Sequence, residues 1–349
     1  MAINKRLIKS NDEAAAGPSF NTVTYTGNFS TNSITGVGFQ PDLVWGKLRN
    51  FANAHLLFDS VRGVGNYLVP NLTDAEGFYA PTLTSFDSDG FTLGADNTIN
   101  KAGYNAVAWC WKAGGAAVTN TDGTITSQVS ANTEAGFSIV TWTGNGISGA
   151  SVGHGLNSVP NIIITKDRTL AKNWNVYSSA IGNDRIILLN TDQSSTIGDN
   201  YNNTTPTNEV FYNHAGNPDF GSQQNILNDL YVSYCFAEVA GFSKFGSYVG
   251  IPSGNVTVNC GFEPAFVMVK CSSHSSTNWE MLDNKRNLGV DGKYRLRAND
   301  SSADAGFNNS PIKFTSTGFY LDSSVTGNSY VDYDANGRTY IYMAFANQF

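Results

Sequence analysis

Five kinds of motif in this chain carry residue types that could do chemistry. Gly149-Ala150-Ser151-Val152-Gly153, with His154 beside it, has the spacing of a nucleophile elbow, in which a sharp strand-to-helix turn exposes a serine hydroxyl. Gly144-Asn145-Gly146-Ile147-Ser148-Gly149 has the spacing of a dinucleotide-binding loop, which works only where a helix N-terminus follows to hold the pyrophosphate. Asp332-Tyr333-Asp334-Ala335-Asn336-Gly337 begins like a calcium loop, and Asp87-Ser88-Asp89-Gly90 is a shorter relative of it. Glu280 and Asp283 could be the paired carboxylates of a glycanase. Asn173-Trp174 and Asn278-Trp279 each place an amide beside an indole. Such a pair can seat a sugar, with its apolar face on the ring and its hydroxyls on the amide.

The elements that must position these residues recur. Tyr25-Thr26-Gly27, Gly38-Phe39-Gln40-Pro41-Asp42-Leu43-Val44 and Val107-Ala108-Trp109-Cys110-Trp111 return as Trp142-Thr143-Gly144, Val159-Pro160-Asn161-Ile162-Ile163-Ile164 and Val232-Ser233-Tyr234-Cys235-Phe236. They return again as Tyr248-Val249-Gly250, Gly261-Phe262-Glu263-Pro264-Ala265-Phe266-Val267 and Ile341-Tyr342-Met343-Ala344-Phe345. The period of roughly a hundred residues is that of a small domain rather than a solenoid unit. Every candidate therefore has two internal equivalents.

Most candidates weaken against those equivalents. His154 aligns with Val37 and Cys260, so two repeats would lack the base. Pro160 and an isoleucine run follow the glycine loop, which makes a strand where both the elbow and the pyrophosphate site need a helix. Met343 stands where a calcium loop needs its bidentate Glu, and Ser316-Thr317-Gly318 answers Asp87 to Gly90. Glu280 aligns with Leu56 and Asn175, and a spacing of three puts Glu280 and Asp283 on opposite faces of a strand. His55 aligns with Trp174 and Trp279 and reads as a packing residue, while His214 and His274 fall in polar loops. No catalytic, cofactor or metal residue is expected. Asn173, Trp174, Asn278 and Trp279 remain as candidate glycan contacts, with a core or edge Trp beside a turn Asn as the competing reading.

Bulk properties narrow the partners. Charged residues make up 14% of the 349 and the formal charge is -7, against about 25% charged residues in an average soluble protein. No run of Lys or Arg follows the first ten residues, which argues against nucleic acid and anionic membranes. Apolar runs are strand-sized, so membrane insertion is not expected. Asn11, Asp12 and Glu13 follow the basic start where a signal peptide needs an apolar stretch, so synthesis in the cytoplasm is expected. Cys110 and Cys235 hold one place in two repeats and read as small core residues. No CxxC pair suggests structural zinc.

β-branched and aromatic residues alternate with polar ones and are punctuated by Gly, Asn-Gly and Asp-Gly, with no sustained helical period. The expected fold is all-β: three tandem β-sandwich domains, jelly-roll-like, behind a short N-terminal arm. The arm is residues 1–19. Repeat one is 20–116, repeat two is 117–240 with a leading hairpin at Thr121-Asp122-Gly123-Thr124, and repeat three is 241–349. Phe236-Ala237-Glu238-Val239-Ala240-Gly241-Phe242 runs straight from one repeat into the next, so the first and last strands of each sandwich should be neighbours.

Four phrases point further: Gly38-Phe39-Gln40-Pro41-Asp42-Leu43-Val44-Trp45, Phe58-Asp59-Ser60-Val61-Arg62-Gly63, Leu83-Thr84-Ser85-Phe86-Asp87-Ser88-Asp89-Gly90-Phe91-Thr92-Leu93-Gly94 and Ala108-Trp109-Cys110-Trp111-Lys112-Ala113-Gly114-Gly115. From about residue 20 onward the chain resembles a family of repeat-containing, tail-fibre-like virion structural proteins of tailed phages of marine bacteria, cyanophages among them. The resemblance implies a non-enzymatic protein on the particle surface, first a tail fibre or receptor-binding appendage for host attachment, and second a capsid decoration or head-fibre protein. It implies other virion proteins as partners through the arm and a host surface glycan or receptor, and it allows a homo-oligomer. The phrases are scaffold phrases and carry no catalytic residues. Repeat two departs from them, with Ser178-Ser179-Ala180-Ile181-Gly182 in place of Asp-Ser-x-Arg-Gly, so the turn-fixing ion pair expected of Asp59 and Arg62 is not general.

Overall fold

The computed structural model describes residues 19–215, 224–286, 294–306, 311–322 and 333–347. Apart from Ser19, the expected arm lies outside the described residues. Among those residues there is no helix and all the sheets are antiparallel, so the fold is all-β. In repeat one an inner sheet sets Phe20–Thr26, Asn105–Trp111, Leu43–Leu48 and Leu56–Asp59 side by side, and Asn32–Thr35, Gly90–Leu93 and Leu83–Asp87 form the outer layer. Repeat three repeats this order with Ser243–Val249, Thr339–Phe345, Phe266–Cys271 and Trp279–Asp283, under Val256–Asn259, Gly318–Leu321 and Ile312–Thr315. Repeat two does the same with Phe137–Thr143, Leu230–Phe236, Ile162–Asp167 and Asn175–Ser178, under the pair Ala150–Gly153 and Val210–Asn213. The leading hairpin, Val118–Asn120 and Ser127–Asn132, extends the inner sheet of repeat two at its Phe137–Thr143 edge.

First and last strands pair in every repeat: Phe20 with Trp111, Phe137 with Phe236, and Ser243 with Phe345. The recurring glycine after each first strand is required by close approach. A Cβ on Gly27, Gly144 or Gly250 would run into the backbone at Lys101, Ile226 or Ala335 respectively.

Each inner sheet buries both faces. In the last strand of repeat one, Ala108 and Cys110 turn into the sandwich, while Val107, Trp109 and Trp111 turn out of it. The outward face meets the same face of the other two repeats, and one hydrophobic core runs through all three. Trp111, Phe236 and Phe345 hold one sequence position in the three repeats. Their rings form a near-equilateral triangle, with centroid separations of 6.3, 5.8 and 5.8 Å, within the range of favourable aromatic pairs. The repeats thus close on one another around a pseudo-threefold axis.

Candidate functional site: three seams and one cleft

Trp174 and Trp279 are 0% and 3% exposed. Neither ring offers a face to a sugar, so the expected glycan platform is corrected to the competing reading. Asn190 accepts from the Trp174 backbone amide (3.0 Å) and donates to the half-buried Asn173 (2.8 Å). Asn299 does the same for Trp279 (2.8 Å) and Asn278 (2.9 Å). These are turn amides beside core indoles.

The indoles instead cross the boundaries between repeats. Trp174 Nε1 donates to the Val69 carbonyl of repeat one (3.1 Å), and Trp279 Nε1 to the Leu188 carbonyl of repeat two (2.9 Å). At the equivalent place in repeat one, His55 accepts from Trp45 Nε1 at its Nδ1 (2.9 Å). Its Nε2 faces the backbone of Arg297 and Asp300 in repeat three without completing a hydrogen bond. Burial, with Lys47 nearby, lowers its pKa to about 3, so the imidazole is neutral. A second set of links follows the same cycle: Glu76 N to Arg168 O (2.9 Å), Ser195 N to Ser272 O (2.8 Å) and Asp304 N to Arg49 O (2.5 Å). Repeat two leans on one, three on two, and one on three.

Two of the seams are charged. Between repeats one and two, Arg62 binds Asp59 (2.5 Å) and Glu76 (2.9 Å), Glu76 also binds Arg168 (2.7 Å), and the Tyr234 hydroxyl donates to Asp59 (2.7 Å). Between repeats three and one, Arg286 binds Asp283 (2.6 Å) and Asp304 (2.5 Å), Asp304 also binds Arg49 (2.7 Å), and Trp109 Nε1 donates to Asp283 (3.0 Å). The Asp59–Arg62 pair does fix its own turn, since Asp59 also accepts the Arg62 backbone amide (2.8 Å). Burial works against the Arg62 cation, but Asp59, Tyr234 and Glu76 outweigh it and hold the guanidinium protonated. In the third seam, between repeats two and three, every one of these positions is uncharged. Ser178, Ile181 and Ser195 replace the acid, arginine and acid, while Met343 and Ser272 replace the donor ring and the crossing arginine. Ser195 Oγ donates to the Ser272 carbonyl (2.8 Å).

The other motifs resolve into structure. Ser151 accepts from the Thr124 amide (3.0 Å), whereas the buried His154 contacts Thr207 O (3.2 Å) and Leu156 N (3.2 Å), so the two form no dyad. Burial lowers the His154 pKa. Glu280 is held by Arg297 (3.0 Å), Arg295 (3.3 Å) and Tyr333 (3.1 Å). Asp89 caps the amides of Gly36 (3.0 Å) and Gly38 (2.7 Å), and these bonds lower its pKa. Asp332 lies outside the described residues. The four cysteines are buried and unpaired. Among the described residues no cluster of His, Cys, Asp or Glu could hold a metal, and no helix is long and apolar enough to cross a membrane.

An open cleft on repeat one has a volume of about 450 Å³ and is lined by Phe29, Leu72, Tyr79, Tyr67, Asp96 and Asn97 among others; another, of about 550 Å³, lies beside Gln40, Lys112 and Gly115. Phe29, Leu72 and Tyr79 are 44%, 42% and 47% exposed. Phe29 adopts φ +54°, a left-handed conformation that a bulky side chain rarely takes. Asp96 is 5% exposed; its Oδ1 accepts from Thr98 N (2.7 Å) and Ile99 N (2.8 Å). Its Oδ2 makes no hydrogen bond among the described residues. Burial raises its pKa in spite of the two amides.

Residues 15–348 match a family model, a domain of unknown function (DUF7483). The chain belongs to that family. The match takes in all three repeats as one unit, which agrees with their shared core. No curated protein and no solved structure matches the chain.

Reading the sequence for reactive motifs missed a third recurring feature of this family member. Lys47, Lys166 and Lys270 hold one position and are fully buried. Lys47 Nζ donates to Leu48 O (2.7 Å), Lys166 Nζ to Asp167 O (2.6 Å), and Lys270 Nζ to Thr277 O (2.6 Å) and, across the neutral seam, to Asp192 O (3.2 Å). Burial lowers the pKa of Lys47 and Lys166 to about 8. The signal was a cation at the same step of three apolar strands, Leu43–Leu48, Ile162–Asp167 and Phe266–Cys271.

Proposed function

We propose that this chain is a non-enzymatic structural protein of a phage virion surface, first of all a tail fibre or receptor-binding appendage for host attachment. One observation carries the structural part of the reading: the reactive side chains that recur at equivalent positions lie buried in the seams or bonded into turns. Asp59 and Asp283, Trp174 and Trp279, and Lys270 bond across the boundaries between repeats, while the buried Lys47 and Lys166 bind carbonyls of their own repeats. The virion part rests on the resemblance of the four scaffold phrases. Exposed aromatic residues around the repeat-one cleft support an attachment role.

The second reading, a capsid decoration or head-fibre protein, is favoured by the pseudo-threefold body, which is what a threefold position of a shell accepts. Immunogold microscopy of purified particles with antibody to repeat three separates the two. Gold at the tail supports the appendage, gold over the head supports decoration, and particles without gold in which the protein is also undetected by mass spectrometry refute both. The arm is the proposed contact with other virion proteins. Deleting residues 2–19 should abolish incorporation while leaving the three repeats folded, and normal incorporation would end that idea.

A further inference from the structure

We propose that the repeat-one cleft is a binding site for a neutral glycan, with Tyr79 and Phe29 as stacking faces and the Oδ2 atom of Asp96 as the hydroxyl acceptor. This deepens the host-attachment reading by naming a site and a ligand class. Three independent features converge there. The first is composition: exposed aromatic and aliphatic groups, Tyr79, Phe29 and Leu72, alternate with the polar Asn97, Asp74 and Asp96 around one opening. Pyranoses have the same division, with an apolar C–H face and a rim of hydroxyls. The volume falls within the range of about 300–1,000 Å³ usual for small-molecule sites.

The second feature is Asp96. It is more than nine-tenths buried and lines the cleft, with one oxygen fixed by two backbone amides and the other without a hydrogen-bond partner among the described residues. That second oxygen is not among the enclosed unsatisfied atoms of the molecule, so it opens into the cleft, where a sugar hydroxyl can donate to it. The third is Phe29. Its left-handed backbone holds an exposed ring at the rim, where a glycine would be the easier choice. Tyr79 is held in turn by a hydrogen bond from its hydroxyl to Ala95 O (3.4 Å).

The charge of the lining selects among glycans. Two carboxylates, Asp74 and Asp96, border the cleft, and among the described residues no Lys or Arg lines it. Uronic acids, sialic acids and phosphorylated sugars would meet repulsion with no compensating cation.

The test is a glycan array of neutral and anionic oligosaccharides probed with the full-length chain and with its Tyr79→Ala and Asp96→Asn variants. Tyr79 is a surface residue, so its variant folds, and circular dichroism checks the other. The expected result is binding to neutral glycans only, weakened at least tenfold by Tyr79→Ala. Excess tetramethylammonium should not compete. Binding to anionic glycans alone, binding unchanged in Tyr79→Ala, competition by tetramethylammonium, or no binding at all would each overturn the site. The array and the gold labelling fail separately. Tail-bound gold with a silent array leaves host attachment standing without this cleft, and a positive array with unlabelled particles leaves the cleft without the virion.

Discussion

Two seams of this molecule are built around buried ion pairs and the third has none at the equivalent positions, although all three join equivalent surfaces around one axis. In the charged seams an Asp–Arg turn reaches a second acid, that acid reaches an arginine of the next repeat, and a ring donor closes on the Asp. In the neutral seam the acid, the arginine, the second acid, the crossing arginine and the ring donor are all gone together, replaced by Ser178, Ile181, Ser195, Ser272 and Met343. The indole-to-carbonyl bond and the backbone link persist there, from Trp279 to Leu188 and from Ser195 to Ser272. Closure of the ring therefore depends on backbone contacts and the aromatic core. The charges form a unit that is kept whole or lost whole, as expected when a half-satisfied buried network is worse than none.

The largest effect should come from breaking one charged unit. Asp283→Ala removes the acceptor of Arg286 and Trp109 and leaves a guanidinium with no exposed side-chain surface short of a counter-ion. A loss of about 3–5 kcal/mol is expected, read as a fall in urea midpoint. Asp59→Ala should cost a similar amount. Ser178→Ala, the same cut in the neutral seam, should cost about 1 kcal/mol or less. Equal losses at all three positions would remove the distinction between the seams.

The next effect concerns one position where repeat three departs from the other two. Asn100 accepts from Asn28 N (3.0 Å) and donates to the carbonyls of Ser30 (2.8 Å) and Gly94 (2.7 Å). Asn225 accepts from Asn145 N (2.8 Å) and donates to Ile147 O (2.8 Å). Asp334 takes their place, accepts from Ile251 N (3.3 Å), and keeps a buried Oδ2 with no hydrogen-bond partner among the described residues. An ionised carboxylate cannot donate, and burial raises this one to about 6 from 3.8. With the folded pKa above the unfolded one, the contribution of Asp334 to stability is fully present below about 3.8 and is lost as pH rises through about 6. Asp334→Asn should therefore stabilise by about 1–3 kcal/mol near neutral pH and by much less in mild acid. A gain of the same size at both pH values would show that protonation is not its cause.

The sequence made the all-β layers plain, because alternation and turn residues are local properties of a strand. The adjacency of first and last strands followed from the run-on of repeat two into repeat three. The closure of the repeats was hidden. Asp59 and Arg62 lie three residues apart and look like a private turn, whereas the contact that gives them a second role, Tyr234, is 175 residues away. Trp174 was read as a possible sugar platform because an indole beside an amide looks alike in a core and at a surface. Only its bond to Val69, in another repeat, settles which it is. The cleft was illegible for the opposite reason. Tyr79 and Asp96 belong to a single repeat, and comparison among repeats discards whatever occurs once.

The smallest net change should come from the boldest exchange. Asp59→Ser, Arg62→Ile, Glu76→Ser, Arg168→Ser and Tyr234→Met together would give the first seam the side chains of the third. Each single change costs a partner one of its contacts, but the five together remove both members of every pair. Replacing a buried ion pair by packed apolar groups is often neutral, or stabilising by about 1–4 kcal/mol. The Val61 and Ile181 side chains already pack on the common core at equivalent turns, so the first seam has apolar surface for the new Ile and Met to meet. The fivefold variant should be at least as stable as the parent, and its midpoint should respond less to pH below about 5, since Glu76, whose pKa its arginines hold down despite burial, is gone. A loss equal to the sum of the single losses would mean that the charges act independently, and the joint replacement seen in the third seam would then need another explanation.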